Sequence, residues 1–209
     1  MRWLLWGATA LVVALAAVGA VVATGTWLQA DRGGTAVVLR DLDGRAVELD
    51  DPLVDSATRQ TDGRFEAPRQ GLDVPLVELT VTGNDLAPPT FTDAFVVRDT
   101  TADADDGTRP LVVAMHALRD GRAPGNTFFE ADSADPEVTV SAGDLLVVDG
   151  VEYTVTRTEV LTKAAAARSE DVWSAQADGA SRLVVITCLQ RAGTSGSAAE
   201  NLLVHAVRA

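Results

Sequence analysis

Short runs of strand-forming residues, separated by turn signals, dominate the chain from about Phe65 onward. Residues 110–115 (PLVVAM) are a continuous apolar run of the kind found in buried strands. Asp149-Gly150 separates two such runs, which is a strong hairpin signal. Strands are predicted at 75–82, 94–98, 110–115, 145–148, 152–156, 183–188 and 202–207. The one clear helical stretch among them is 163–168 (KAAAAR). The pattern predicts a mainly β domain, built as a sandwich or a closed barrel.

The amino-terminal segment has a different character. Residues 3–22 contain no charged side chain, and about 20 apolar residues are needed to cross a bilayer as a helix. Arg2 precedes this run, so the positive-inside tendency places the amino terminus in the cytoplasm and the rest of the chain outside. A cleaved signal peptide, with a weak site at Val18-Gly19-Ala20, is the alternative. The length of the run favours an uncleaved transmembrane helix.

Three regions are therefore predicted: a membrane anchor at 1–28, an extracellular spacer at 29–66 and a strand-rich domain at 67–209. The spacer is polar, with a possible small hairpin around Asp43-Gly44. The formal net charge of −13 argues against nucleic acid as a partner. Acidic side chains cluster between residues 99 and 106, and we interpret them as a solvated loop rather than a calcium site, so no metal or cofactor is predicted.

Cys188, the only cysteine, ends the predicted strand 183–188. Exported proteins meet an oxidising environment in which cysteines tend to be paired, so a single cysteine suggests a reactive thiol. The alternative is a small buried apolar residue, because free cysteine is among the most buried residue types. Thr187 precedes it and is predicted to point to the opposite face of the strand, in a structural role.

A catalytic thiolate needs a basic partner, and the chain has two histidines. His116 follows strand 110–115 and opens a polar loop, which is where catalytic groups usually lie. His205 lies within an apolar strand, where a packing role is expected. Arg191, three residues after Cys188, is the candidate donor for a developing oxyanion, with Arg182 as an alternative.

The residues that follow the His116 loop are candidate groove-lining groups. They are Asn126, Thr127 and Phe128. Ordinary packing between loop and strand is the favoured interpretation.

This order of features resembles the sortases, the cysteine transpeptidases on the outside of Gram-positive cells. Thr187-Cys188 is similar to the end of the sortase Thr-x-Thr-Cys segment, and residues 143–155 (GDLLVVDGVEYTV) resemble the sortase Gly-Asp segment with its hairpin. Residues 68–77 (PRQGLDVPLV) resemble the start of the first barrel strand. The arginine-rich, nearly lysine-free composition is most similar to the class E and F enzymes. The sequence departs from the family at 199–201 (AEN), where an arginine is usual, and Met115 stands where a glycine commonly precedes the histidine.

The resemblance implies an eight-stranded sortase-type β-barrel with short helices, held at the membrane by one helix, with the catalytic domain extracellular. It implies that Cys188 cleaves an LPxTG-like sorting signal through a thioacyl intermediate, with His116 as acid and base and Arg191 at the oxyanion. The acceptor would be an amine of a cell-wall precursor or a pilin. The alternatives are an inactive sortase-like binding module and another exported cysteine hydrolase. The hydrolase would need a cysteine at a helix start, which the sequence does not offer.

Overall fold

A computed structural model describes residues 38–47, 57–81, 86, 88–99, 108–176 and 181–209. Eight strands form within these residues: β1 Ala57–Ala67, β2 Leu72–Val81, β3 Ala94–Asp99, β4 Leu111–Met115, β5 Leu145–Val148, β6 Val151–Thr162, β7 Arg182–Leu189 and β8 Glu200–Arg208. Two short helices, α1 Lys163–Ala166 and α2 Glu170–Trp173, follow β6. Two 3₁₀ turns span Pro68–Gln70 and Pro124–Phe128. All seven predicted strands and the predicted helix are present.

The eight strands close into a barrel in the order β1-β2-β3-β4-β7-β8-β6-β5. The pairs β2–β3 and β4–β7 are parallel, and the other neighbours are antiparallel. The hairpin predicted at Asp149-Gly150 joins β5 to β6, and Asp149 and Gly150 both have positive φ. Of the two architectures left open by the sequence, the closed barrel is the one observed.

Alternate residues along each strand divide the apolar side chains into two layers. The interior cluster draws residues from all eight strands, among them Phe65, Leu146 and Leu202. A second cluster lies outside the barrel wall, where Ala114, Ile186 and Leu203 meet Ala166 and Val172 of the two helices. The helices thus cover one side of the wall formed by β4, β7 and β8.

The barrel begins earlier in the sequence than the predicted domain start at residue 67. Strand β1 starts at Ala57, inside the region predicted as spacer, and pairs with β2 from Ala57↔Thr80 onward. Most of its residues are exposed, and only Phe65 and Ala67 are buried. A strand with so few inward apolar side chains lacks the alternation that identifies strands in sequence.

Part of the predicted spacer is also packed against the domain. The Asp41–Gly44 turn is closed by a bridge between Arg40 and Ala46. The buried Asp41 carboxylate accepts hydrogen bonds from the backbone N–H groups of Arg45 and Arg122. Within the described residues no helix is long and apolar enough to cross a bilayer, and the predicted anchor at 1–28 lies outside them, as does most of the acidic segment 99–106.

Candidate active site

His116 and Cys188 lie at the same end of two neighbouring parallel strands. The β4–β7 register runs from Leu111↔Leu183 to Met115↔Thr187, and His116 and Cys188 are the next residue on each chain. Neighbouring strands are about 4.8 Å apart, so this register sets the two residues side by side. Both side chains are half-buried.

The alternation of the strands fixes which face of the wall carries the pair. Ala114 and Ile186, two residues before His116 and Cys188, belong to the outer cluster. The intervening Thr187 is 2% exposed. Its hydroxyl approaches the turn at Gly125. The burial of Thr187 and the half-buried position of Cys188 agree with the predicted opposite orientation of the two side chains, and the pair lies on the outer face of the wall, just beyond the apolar cluster that α1 and α2 cover.

The imidazole of His116 is held by the segment that precedes β3. Its Nε2 lies 2.6 Å from the carbonyl oxygen of Pro88, and its ring centroid lies 4.4 Å from that of Phe91, with the planes at 34°. A carbonyl oxygen only accepts hydrogen bonds, so Nε2 carries a proton. In the neutral ring the lone pair is consequently on Nδ1, which is the atom available to accept a proton.

Burial is the main influence on both reactive groups. It lowers the pKa of His116 below its ordinary value, against the opposing hydrogen bond to Pro88, and the charge of Lys163 lowers it further. Burial raises the pKa of the Cys188 thiol, and the charge of Lys163 partly offsets that rise. Desolvation thus favours a neutral thiol beside a neutral imidazole in the resting protein.

The loop after His116 is fixed by Gly125 and Asn126. The N–H of Gly125 donates to the His116 carbonyl at 2.8 Å, and a Cβ at residue 125 would lie only 2.7 Å from that oxygen. The Asn126 side chain accepts from the N–H groups of Leu118 and Ala123 and donates to the Leu118 carbonyl, at 2.9, 2.8 and 2.7 Å. Asn126 therefore has the packing role expected from the sequence, because its amide is engaged within the loop.

The predicted oxyanion donor Arg191 is engaged elsewhere. Its guanidinium makes ion pairs with Glu200 at 2.8 Å and Asp135 at 3.0 Å, and these carboxylates raise its pKa. The alternative, Arg182, donates to the carbonyl oxygen of Asp171, a residue of α2, at 2.9 Å. Both arginines are therefore bound to acceptors of the fold, and no contact of either with Cys188 is found in the described part of the chain.

The second histidine packs as expected. His205 is 5% exposed, pairs with Val184 on β7, and its Nε2 lies 2.8 Å from a carboxylate oxygen of Glu159. Burial lowers its pKa, with Arg157 acting in the same direction and Glu159 opposing. The His205 ring is therefore packed within the barrel wall between β7 and β6, where Glu159 is its hydrogen-bond partner.

Two residues that the fold links to the candidate pair were not chosen as site residues from the sequence. Asn201 is the cross-strand neighbour of Cys188 on β8, and Lys163 begins α1 directly after β6. Lys163 is the only lysine of the chain, which is a signal that sequence alone carries. Its position near the pair depends on strand pairing between distant segments, which sequence alone does not give.

No protein-family model matches this chain, and no curated protein does. Solved structures of similar shape include sortase A of Listeria monocytogenes, at 16% identity and a TM-score of 0.47 over 70% of this chain and 86% of that one. Sortase C-1 of Actinomyces oris has 16% identity and a TM-score of 0.48 over 70% and 71%. A Clostridium perfringens sortase D5 transpeptidase has 12% identity and a TM-score of 0.45 over 70% and 78%.

Sortases of classes A, C and D are thus among the solved structures to which this chain is similar, and the likeness concerns shape alone. It does not distinguish class E or F from the other classes. Because the identities are 12–16% and the TM-scores 0.45–0.48, we carry no property of these proteins over to this chain.

Proposed function

We propose that this chain is a sortase-type cysteine transpeptidase. It would cleave an LPxTG-like sorting signal and transfer the cleaved protein to an amine of a cell-wall precursor or a pilin. The observation that carries the proposal is the β4–β7 register, which sets the only cysteine beside His116 at the same end of two parallel strands.

The first half-reaction would acylate Cys188. As Nδ1 of His116 takes the thiol proton, the sulfur attacks the carbonyl carbon of the scissile Thr–Gly bond and forms a tetrahedral oxyanion. When this intermediate collapses, the carbon–nitrogen bond breaks and His116 gives the proton to the leaving amine. A thioester between the peptide and Cys188 remains.

The second half-reaction would use the same groups in reverse order. The acceptor amine attacks the thioester carbonyl and loses a proton to His116, which returns it to the departing Cys188 sulfur. The new amide leaves, and both side chains regain their starting protonation. The outer-face location of the pair suits this exchange because two large substrates have to reach the same sulfur.

The neutral resting pair has a functional consequence. A thiol with a raised pKa is a weak nucleophile until its proton is removed, so proton transfer to His116 has to accompany attack. Such a pair would react slowly with electrophiles in solution, and proton transfer and attack would occur once a bound peptide excludes water. We further propose that the segment 1–28 anchors the chain in the cell membrane with the barrel outside.

A second candidate function is an inactive sortase-like binding module. It is favoured by Asn201 beside Cys188, where an arginine would be expected from the family resemblance, and by the engagement of Arg191 with Glu200. Such a module would bind sorting peptides without acylation.

The test is to incubate the full chain, solubilised in detergent, with a panel of LPxTG-type peptides and with glycine oligomers as the amine. Intact-mass spectrometry should show a peptide adduct on the protein that disappears in Cys188→Ala and is strongly reduced in His116→Gln. Addition of the amine should convert the adduct to a ligated product. Peptide binding without any adduct would refute the enzyme and support the binding module.

A further inference from the structure

We propose that Lys163 provides the positive charge of this active site, with the side-chain amide of Asn201 as its neighbouring hydrogen-bond donor. The inference deepens the proposed function and rests on it. Together the two side chains would stabilise the oxyanion that forms when Cys188 attacks a peptide carbonyl, a role for which the sequence offered Arg191.

The strand order brings Lys163 to the site from a distant part of the chain. Strand β8 lies between β7 and β6, and Asn201 pairs with Cys188 on one side and with Leu161 on the other. Residues paired across a sheet share a face, so Cys188, Asn201 and Leu161 form one row of neighbouring side chains that reaches the end of β6. Lys163 follows two residues later.

The start of α1 is fixed where this row ends. The backbone N–H of Lys163 donates to the Ala199 carbonyl at 3.1 Å, just before β8. The Thr162 hydroxyl accepts from the N–H of Ala165 at 3.2 Å and caps the helix. The backbone of Lys163 is thereby held against β8, while its side chain is exposed and able to follow a substrate.

The electrostatics of the described residues connect Lys163 to both reactive groups. Burial raises the pKa of Cys188, and the charge of Lys163 acts against that rise; the same charge adds to the effect of burial in lowering the pKa of His116. One cation therefore acts on both members of the pair. It also stabilises negative charge on the thiolate and on the oxyanion that follows.

Two other carboxylates around the pair are already engaged by groups of the fold. Glu200, next to Asn201 on β8, is bound by Arg191. The carboxylate of Asp93, in the segment beside His116, accepts from the hydroxyls of Thr90 and Thr92. Among the described residues we find no carboxylate in ion-pair contact with the Lys163 ammonium and no hydrogen bond made by the Asn201 side chain. Both groups are therefore available to a substrate.

The chemistry of the two groups is complementary. An ammonium has three donors on a flexible stem and acts as a compact charge, and an amide NH₂ adds donors of fixed direction on a strand. An arginine combines these properties in one side chain. In this chain they are divided between the end of β6 and the start of β8. Neither side chain gains or loses a proton in the cycle, so the proton balance remains with Cys188 and His116.

The first test needs no substrate. The rate of Cys188 alkylation by iodoacetamide is measured against pH on the full chain, for wild type, Lys163→Met, Lys163→Arg and Arg168→Gln. Arg168 is an exposed cation just beyond α1 and serves as the control for net charge. The alkylation profile of Lys163→Met should move to higher pH, while Lys163→Arg and Arg168→Gln should follow wild type. The difference should shrink in 1 M salt, where the screening length is about 3 Å.

The second test measures thioacylation with the sorting peptide. Loss of one oxyanion donor in other enzymes lowers kcat by about 10²–10³-fold, and a loss toward the lower end is expected for Lys163→Met because its side chain is exposed. Lys163→Arg should restore most of the rate, and Asn201→Ala should lose activity without moving the alkylation profile.

The outcomes separate the two proposals. An unmoved alkylation profile in Lys163→Met, or full thioacylation by it alongside an inactive Arg191→Ala, overturns the role of Lys163 and leaves the transpeptidase intact. A shifted profile in a chain that forms no adduct with any peptide overturns the transpeptidase and keeps the electrostatic coupling.

Discussion

Asn126 offers a measurable test of how the catalytic loop is built. Its side chain makes three hydrogen bonds to the backbone of Leu118 and Ala123, and these close the loop that follows His116. Asn126→Ala removes all three. A neutral hydrogen bond contributes about 1 kcal/mol net, so we expect the loss of three to lower the free energy of unfolding by about 3 kcal/mol.

For a chain of this size, 1 kcal/mol corresponds to about 2–4 °C in Tm, so the variant should melt about 6–12 °C below wild type. Differential scanning calorimetry measures the shift. Thr127→Val is the matched control, since it removes one local bond, from the Thr127 hydroxyl to the Pro124 carbonyl at 2.8 Å, and should cost about 1 kcal/mol. If Asn126→Ala melts no lower than Thr127→Val, the loop is held by something other than this amide.

Three further predictions concern the same region. Gly125→Ala should destabilise the protein by more than about 2 kcal/mol in urea titrations, because its new methyl group would overlap Thr187 and crowd the His116 carbonyl. Gly71→Ala is the control. Its methyl group would meet no neighbouring atom, so it should cost only the strain of positive φ. Cys188→Ala should keep the wild-type circular dichroism spectrum while losing all thioacylation, and an unfolded variant would instead make the cysteine a packing residue. The free energy of unfolding should decrease as the pH falls below about 6.5, because His116 takes up a proton more readily in the unfolded chain than in the folded one. It should also decrease as the pH rises above about 8.5, because Cys188 loses its proton more readily in the unfolded chain. Urea midpoints against pH should lose part of the acid slope in His116→Gln and part of the alkaline slope in Cys188→Ala.

The strands that sequence reasoning located are those with a strong apolar signal. Strand β4 at Leu111–Met115 and residues 183–186 of strand β7 are continuous apolar runs because the outer cluster and the barrel interior cover both of their faces. Strand β1 was missed because its first half is polar and solvent-exposed, so its place in the barrel depends on hydrogen bonds to β2. Periodicity detects burial, and the polar half of β1, which lacks buried apolar side chains, gives little of that signal.

The same distinction explains the candidate site. His116 and Cys188 were identifiable because each directly ends a strongly patterned strand, and strand ends are recognisable in sequence. Arg191 was chosen because it is close to Cys188 along the chain. Three residues past the cysteine, however, its side chain meets Glu200 and Asp135, two carboxylates whose approach depends on the fold.

Chain proximity and spatial proximity diverge most where a strand is inserted between two others. Because β8 lies between β7 and β6, the end of β6 comes near Cys188 although it is far from it in sequence, and Lys163 arrives with it. Burial alone would leave a thiol and an imidazole that are both neutral and slow to react. The charge of Lys163 opposes the effect of burial on the thiol pKa, and because the lysine side chain is exposed, it adds no buried charge to the site. If the proposal is correct, the position of the single lysine is the feature that makes a desolvated cysteine usable as a nucleophile.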